Sequence, residues 1–141
     1  MAGYSGTPLD QKLGIKAGHR LLVEGAPDGF VGGALRVPED VVVVGAPKAP
    51  IDVAVVFVTS RARLVARWEP VTRSLRADGA FWVAWPKKAS KVATDMTEDV
   101  VRDVGLPGGL VDNKVCAIDD VWSGLRLVVR KENRASWPWG R

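Results

Sequence analysis

Three short stretches of this 141-residue chain hold most of the side chains and backbone groups able to do chemistry. They are Gly25, Asp28 and Gly29 in Gly25-Ala26-Pro27-Asp28-Gly29; Thr59, Ser60 and Arg61; and Lys87, Lys88, Ser90 and Lys91 after Pro86. Cations, hydroxyls, glycine-turn amides and the open amides of a helix start suit an anion, because charge-assisted hydrogen bonds and a helix amino-terminus converge on negative charge. The chemistry implied is binding of a phosphate- or carboxylate-bearing metabolite. The competing reading is a solvated lysine turn beside an ordinary strand-to-helix turn that needs small residues. The glycine spacing is not G-x-G-x-x-G, and Pro27 removes one amide donor from the middle of the turn.

Catalytic groupings are thin. His19 is the single histidine and precedes the first strand, at the end of the sheet away from those three stretches. Cys116 sits mid-strand between Val115 and Ala117 with no partner base, and as the single cysteine it excludes an internal disulfide and a multi-cysteine metal site. Asp119-Asp120 reads as a solvated pair in a hairpin loop, without further ligands at metal spacing. No catalytic residue and no metal site is expected, and the sequence leaves the cofactor unspecified. A nucleotide ribose usually meets a carboxylate at the exit of the second strand, where this chain has Lys48.

The elements that must position these residues follow from periodicity. Ile51 to Val58 is evenly apolar, as expected of a central parallel strand covered on both faces, and Gly79 to Trp85 has the same character. Between them Leu64, Val65, Trp68, Val71 and Leu75 recur at helical spacing, with Arg63, Arg67, Arg73 and Arg76 forming a solvated outer face. Pro70 predicts a kink or two abutting helices. Ahead lie a short helix capped by Thr7 and ended at Gly14, a strand over Arg20 to Glu24, and another over Val41 to Val44. Asp78-Gly79 reads as a turn. Beyond come a helix capped by Thr94 or Thr97 and stopped at Gly105, then a hairpin of Lys114 to Ile118 and Leu125 to Arg130 whose six-residue loop carries Trp122. The tail holds Trp137-Pro138-Trp139 and is either a loose end or a docked strap. The fold class expected is α/β, three-layer and Rossmann-like, with a mainly parallel sheet closed by a C-terminal antiparallel hairpin; residues 1–130 form the domain and 131–141 the tail.

Hydrophobic content of 47% with 26% charged residues suits a globular chain, and no apolar run is long enough to span a bilayer. The start lacks a basic region followed by an apolar stretch, so a cytoplasmic setting without membrane association is expected. The net charge of +4 is polarised: basic residues dominate from Arg61 to Lys91, and acidic ones from Asp95 to Asp120. Such a split suits a small anionic metabolite, a second copy of the chain or a protein partner docking on the hairpin and Trp tail. Nucleic acid ranks below these, since no recognition motif is present.

The order strand, glycine turn, strand, strand, Arg-rich helix, "ADGAFWVAWP", helix, "GLVDNKVCAIDDVWSGLRLVVRK" resembles a pared-down class I methyltransferase fold. That family's first glycine motif would place an acidic residue two positions before the leading glycine and a glycine at the position of Pro27; this chain has Val23 and Pro27. The segments "GYSGTPLDQKLGIKAGHRLLVEGAPDGF", "VVFVTSRARL" and "DGAFWVAWPKKASKVATDMTEDVVRDVGLPGGLVDNKVCAIDDVWSGLRLVVR" are similar to a family of small bacterial proteins grouped as domain of unknown function 3052. This second likeness implies a fold and a cytoplasmic setting.

Overall fold

A computed structural model describes residues 6–138. Its centre is β3 (Ile51–Phe57), a strand whose residues are buried except for the partly exposed Asp52. β3 pairs in parallel with β1 (Arg20–Glu24) on one side and with β4 (Leu75–Pro86) on the other; β2 (Val42–Val44) lies outside β1. β5 (Leu110–Ala117) and β6 (Trp122–Val129) form the antiparallel hairpin, giving the six-stranded order β2-β1-β3-β4-β6-β5. The sheet is mainly parallel and closed by that hairpin.

Both faces of a parallel sheet must be covered, and the two are covered differently. On one face α2 (Arg61–Ser74) and α3 (Glu98–Gly105) bury Leu64, Val71 and Val101 against β3, β4 and β6. Trp68 of α2 stacks on Phe81 at 5.2 Å between ring centroids. A Cβ at Gly108 would come within 2.4 Å of the Trp68 indole nitrogen, so only glycine lets the chain leave α3 past that ring. On the other face α1 (Leu9–Leu13) and the long β1–β2 connection bury Leu13, Ile15, Phe30 and Leu35 over Trp82. The Trp82 indole N–H donates to the Leu13 carbonyl at 3.0 Å, which ties α1 to the sheet.

Several local expectations change. α2 is one continuous helix through Pro70, and Leu75 begins β4 rather than ending the helix; it is buried in either conformation, so the apolar period could not separate them. Asp78-Gly79 is an irregularity inside β4, not a turn: the register with β3 shifts between Ile51 and Val53, and a Cβ at Gly79 would lie 2.8 Å from the Asp52 carbonyl. α1 has Pro8 at its cap position and no side-chain cap, while Thr97 caps α3 by accepting from the Val100 amide. The hairpin loop is residues 118–121, because the Asp119 carboxylate accepts from the amides of Val121 and Trp122, each at 2.8 Å, and closes the turn early. Trp122 is therefore in β6, edge-on to Phe57 at 5.0 Å.

The tail docks as a strap. Trp137 packs on the helix-side core and donates its indole N–H to the Leu75 carbonyl at 2.9 Å, at the edge where β3 and β4 begin; Asn133 and Arg134 donate to the carbonyls of Gly109 and Val129. Trp139 lies outside the described residues. Trp137→Phe, which removes the hydrogen bond but keeps most of the packing, is expected to cost about 1 kcal/mol, and Trp137→Ala about 3 kcal/mol, in urea denaturation. Equal costs for the two variants would show that packing contributes nothing.

Candidate functional site

Parallel pairing of β1, β3 and β4 sends Gly25, Thr59-Ser60-Arg61 and Lys87 to one carboxyl edge. The order reverses there, since the chain steps from β1 to β2 on one side and returns to β3 on the other. This is where open α/β sheets form ligand crevices.

The three stretches reach that edge in different states. Gly25 has φ +70°, and a Cβ there would lie 2.6 Å from the Phe57 carbonyl oxygen, so its type is demanded by the close passage of two strand exits. Asp28 and Gly29 are exposed on the following loop. In that loop the amides of Phe30, Gly32, Gly33 and Leu35 all donate to loop carbonyls, and no helix follows β1. At the β3 exit the Thr59 carbonyl accepts from Thr94 Oγ1 at 2.6 Å, and Ser60 caps α2 by accepting from the Arg63 amide at 3.1 Å. The Arg61 amide donates to Asp95 Oδ1 at 2.7 Å. The chain thus lays its own carboxylate on the start of α2, where an anionic ligand was expected.

The β4 exit is more open. Ser90 is occupied internally, donating to the Lys87 carbonyl and accepting from the Val92 amide, and Lys91 takes the left-handed conformation that ends the turn. Among the described residues the ammonium groups of Lys87, Lys88 and Lys91 meet no carboxylate within ion-pair distance. Beside them is a cavity of about 450 Å³ lined by Trp85, Pro86, Lys88, Val92, Met96 and Thr97, among others. Glu98 also lines it, but its carboxylate is engaged by Arg102, which further binds Asp112 and so ties α3 to β5.

A second cleft, of about 280 Å³, opens where β1 and β2 leave the sheet, lined by Glu24, Gly25, Gly45, Pro47, Arg63 and Arg67. Here the outer-face reading of the arginines is corrected for Arg67, as it is for Arg76, which lies in β4 and is paired with Asp52 and Asp78. The Arg67 guanidinium makes a two-pronged pair with Glu24, at 2.8 and 2.6 Å, with side chains only 21% and 11% exposed. That hydrogen bond to Glu24 outweighs burial and holds the Arg67 charge more firmly than usual. The available signal was Glu24 itself, a carboxylate ending an apolar strand and so in need of a cation.

Cys116 is half-buried; burial pushes its thiol up against the opposing influence of Lys12 and Lys114, which is the reverse of an activated nucleophile. His19 lies at the opposite, amino edge, where its Nδ1 accepts from the Lys16 amide. Among the described residues no group of histidines, cysteines and carboxylates is placed to hold a metal.

No family model matches the chain, and no curated protein does. Solved structures do match. A SAM-dependent methyltransferase from Aquifex aeolicus aligns with TM-score 0.56 at 14% identity, over 84% of this chain and 87% of that one. The magnesium protoporphyrin IX methyltransferase from Synechocystis, solved with SAH, gives 0.57 at 8% identity over 86% and 81%. Aeropyrum pernix fibrillarin, solved with natively bound S-adenosyl-L-methionine, gives 0.53 at 16% identity over 89% and 70%. The fold is methyltransferase-like. At such identities the likeness extends to the fold alone.

Arg67→Met is expected to destabilise the protein by about 3 kcal/mol, because Glu24 would be left without its cation in a largely buried position, whereas Glu24→Gln/Arg67→Met should recover at least half of that loss. Denaturant unfolding checks both; a single variant no less stable than the double would show that the pair contributes little.

Proposed function

We propose that the carboxyl edge of the sheet binds a small anionic ligand of the nucleotide type, seated in the cavity beside Lys88. The observation that carries this reading is the make-up of that cavity. Trp85, Pro86, Val92 and Met96 give it apolar walls suited to a flat ring, while Lys88 on its lining and Lys87 and Lys91 on the same turn supply cations without carboxylate partners among the described residues. A charged group on the ligand would complete those cations, as Asp95 already does for the start of α2. Thr59, Ser60 and Arg61 then frame the edge rather than contact the ligand, and Gly25 to Gly29 shape the neighbouring strand exit.

The three solved neighbours include proteins described with SAM or SAH, which makes an adenosyl group a sensible probe. Two features weigh against adenosylmethionine itself: Gly45-Ala46-Pro47-Lys48 at the β2 exit offers no carboxylate for ribose, and free lysines disfavour a cationic sulfonium. Membership in the small bacterial family belongs to the same proposal and is carried by the sequence segments quoted above.

Docking through the hairpin and tail has less support, since Trp122 packs on Phe57 and Trp137 on the core. Self-association is favoured by a different observation: β2 is an edge strand whose Val42 and Val43 are 51% and 40% exposed, and an apolar edge is a template for another strand.

Thermal unfolding with adenine nucleotides, sugar phosphates and adenosylmethionine tests the ligand reading. At a hundredfold excess over Kd a nucleotide stabilises by about 2.7 kcal/mol, a rise of several degrees, and Lys87→Ala/Lys88→Ala should abolish most of it. Absence of any stabilising compound, or stabilisation that survives the double variant, overturns the reading. For self-association, light scattering should give a dimer mass that Val43→Lys returns to that of the monomer; a wild-type monomer across the concentration range removes it.

A further inference from the structure

Toward the amino edge of the sheet lies a cation that has no carboxylate partner among the described residues. Arg126, in the middle of β6, is paired across the sheet with Trp82 of β4 and Lys114 of β5, and it is half-buried. Its side-chain partner among the described residues is the neutral Asn113 Oδ1, at 3.3 Å. Three of the six other half-buried arginines have carboxylate partners: Arg67 meets Glu24, Arg76 meets Asp52 and Asp78, and Arg102 meets Glu98, Asp99 and Asp112. Burial lowers the Arg126 pKa, and no charged neighbour offsets the loss of water. A guanidinium in this state has a standing demand for an anion.

Arg126 also faces space. It lines two adjoining cavities, one of about 260 Å³ with Lys16, His19, Asp52 and Asp78, and one of about 150 Å³ with Asn113, Asp78 and Arg134. A water molecule takes about 30 Å³, so the larger cavity has room for a tetrahedral oxyanion and part of whatever carries it. The two carboxylates there share one guanidinium. Arg76 Nε lies 3.4 Å from Asp52 Oδ1 and 3.2 Å from Asp78 Oδ1, and Asp52 Oδ2 accepts from the Arg20 amide at 2.8 Å. In the larger cavity Lys16 and Arg126, with Arg76 held against the carboxylates, make three cations to the two carboxylates Asp52 and Asp78. His19 adds a ring donor to the lining: with Nδ1 accepting from the Lys16 amide at 3.1 Å, Nε2 is the nitrogen left to donate.

We propose that this pocket is a second anion site, distinct from the carboxyl-edge cavity, which takes an oxyanion of the phosphate class against Arg126 with Lys16 and His19 as further donors. The donors come from separate parts of the chain, Lys16 and His19 from the α1–β1 connection and Arg126 from β6, and line one cavity. Three donors are matched by an anion with several acceptor oxygens, such as phosphate. The anion is either free phosphate or the phosphoryl end of a larger metabolite.

NMR titration of the full chain with inorganic phosphate at constant ionic strength, following the His19 ring and Arg126 Nε signals, tests the site. Saturable movement of both is expected, with affinity about tenfold weaker in Arg126→Gln and severalfold weaker in Lys16→Ala. Lys87→Ala/Lys88→Ala, which removes the proposed nucleotide-type site at the other edge, should leave the titration unchanged. Glycerol phosphate in a parallel arm distinguishes the sources: tighter binding than inorganic phosphate assigns the site to a phosphorylated metabolite, and weaker binding assigns it to the free ion. The inference is overturned if phosphate moves these signals no more than chloride does, or if folded Arg126→Gln and Lys16→Ala both bind as the wild type does.

Discussion

β3 is the constraint from which the rest of the structure follows. A strand buried on both sides and paired in parallel on both edges cannot face water, so each face of the sheet needs its own cover. α2 and α3 supply one, with Trp68 against Phe81 at the contact. The other is built from the five-residue α1 and the β1–β2 connection, a thinner layer that works because large side chains from the sheet itself, Trp82 above all, fill the space beneath it. The same parallel pairing delivers the exits of β1, β3 and β4 to one edge and their beginnings to the other.

Those two edges have opposite electrostatic economies. At the β3 exit the chain satisfies itself: Ser60 and Asp95 occupy the first amides of α2, and Thr94 closes on Thr59. One strand over, the β4 exit leaves three lysines without carboxylates among the described residues, beside an apolar cavity. The acidic stretch from Asp95 onward, which could have neutralised them, turns instead to Arg61 and Arg102. The polarised charge along the chain is thus partly cancelled across α2 and α3, and what survives is local.

The glycine-rich connection after β1 shows how one composition can serve two purposes. In a nucleotide-binding turn, glycines bring free amides to a phosphate. Here Gly25 makes room for the Phe57 carbonyl, Gly33 could not carry a Cβ within 2.3 Å of the Gly29 carbonyl, and the loop amides bond inward. The loop is a roof for Phe30 and Leu35 first. The methyltransferase-like fold is therefore present with a first strand exit built for packing.

Because even apolar runs, helical spacing and glycine or proline punctuation are local signals, the sequence by itself determined the centres of the strands, the mainly parallel sheet and the closing hairpin, though not that β4 begins at Leu75 and β5 at Leu110. It also brought Gly25, Ser60 and Lys87 into view as residues of one edge. It could not place Leu75 or Trp122, since a buried residue has the same apolar character in either element, nor read Asp78-Gly79 as an irregularity set by Asp52 of another strand. Only the tertiary structure decided which charges remain unmatched. Glu24 with Arg67 spans 43 positions, Arg61 with Asp95 spans 34, and Arg126 is left facing a cavity. Pairing across such distances depends on how strands and helices stack, and nothing in the local pattern of residues encodes it.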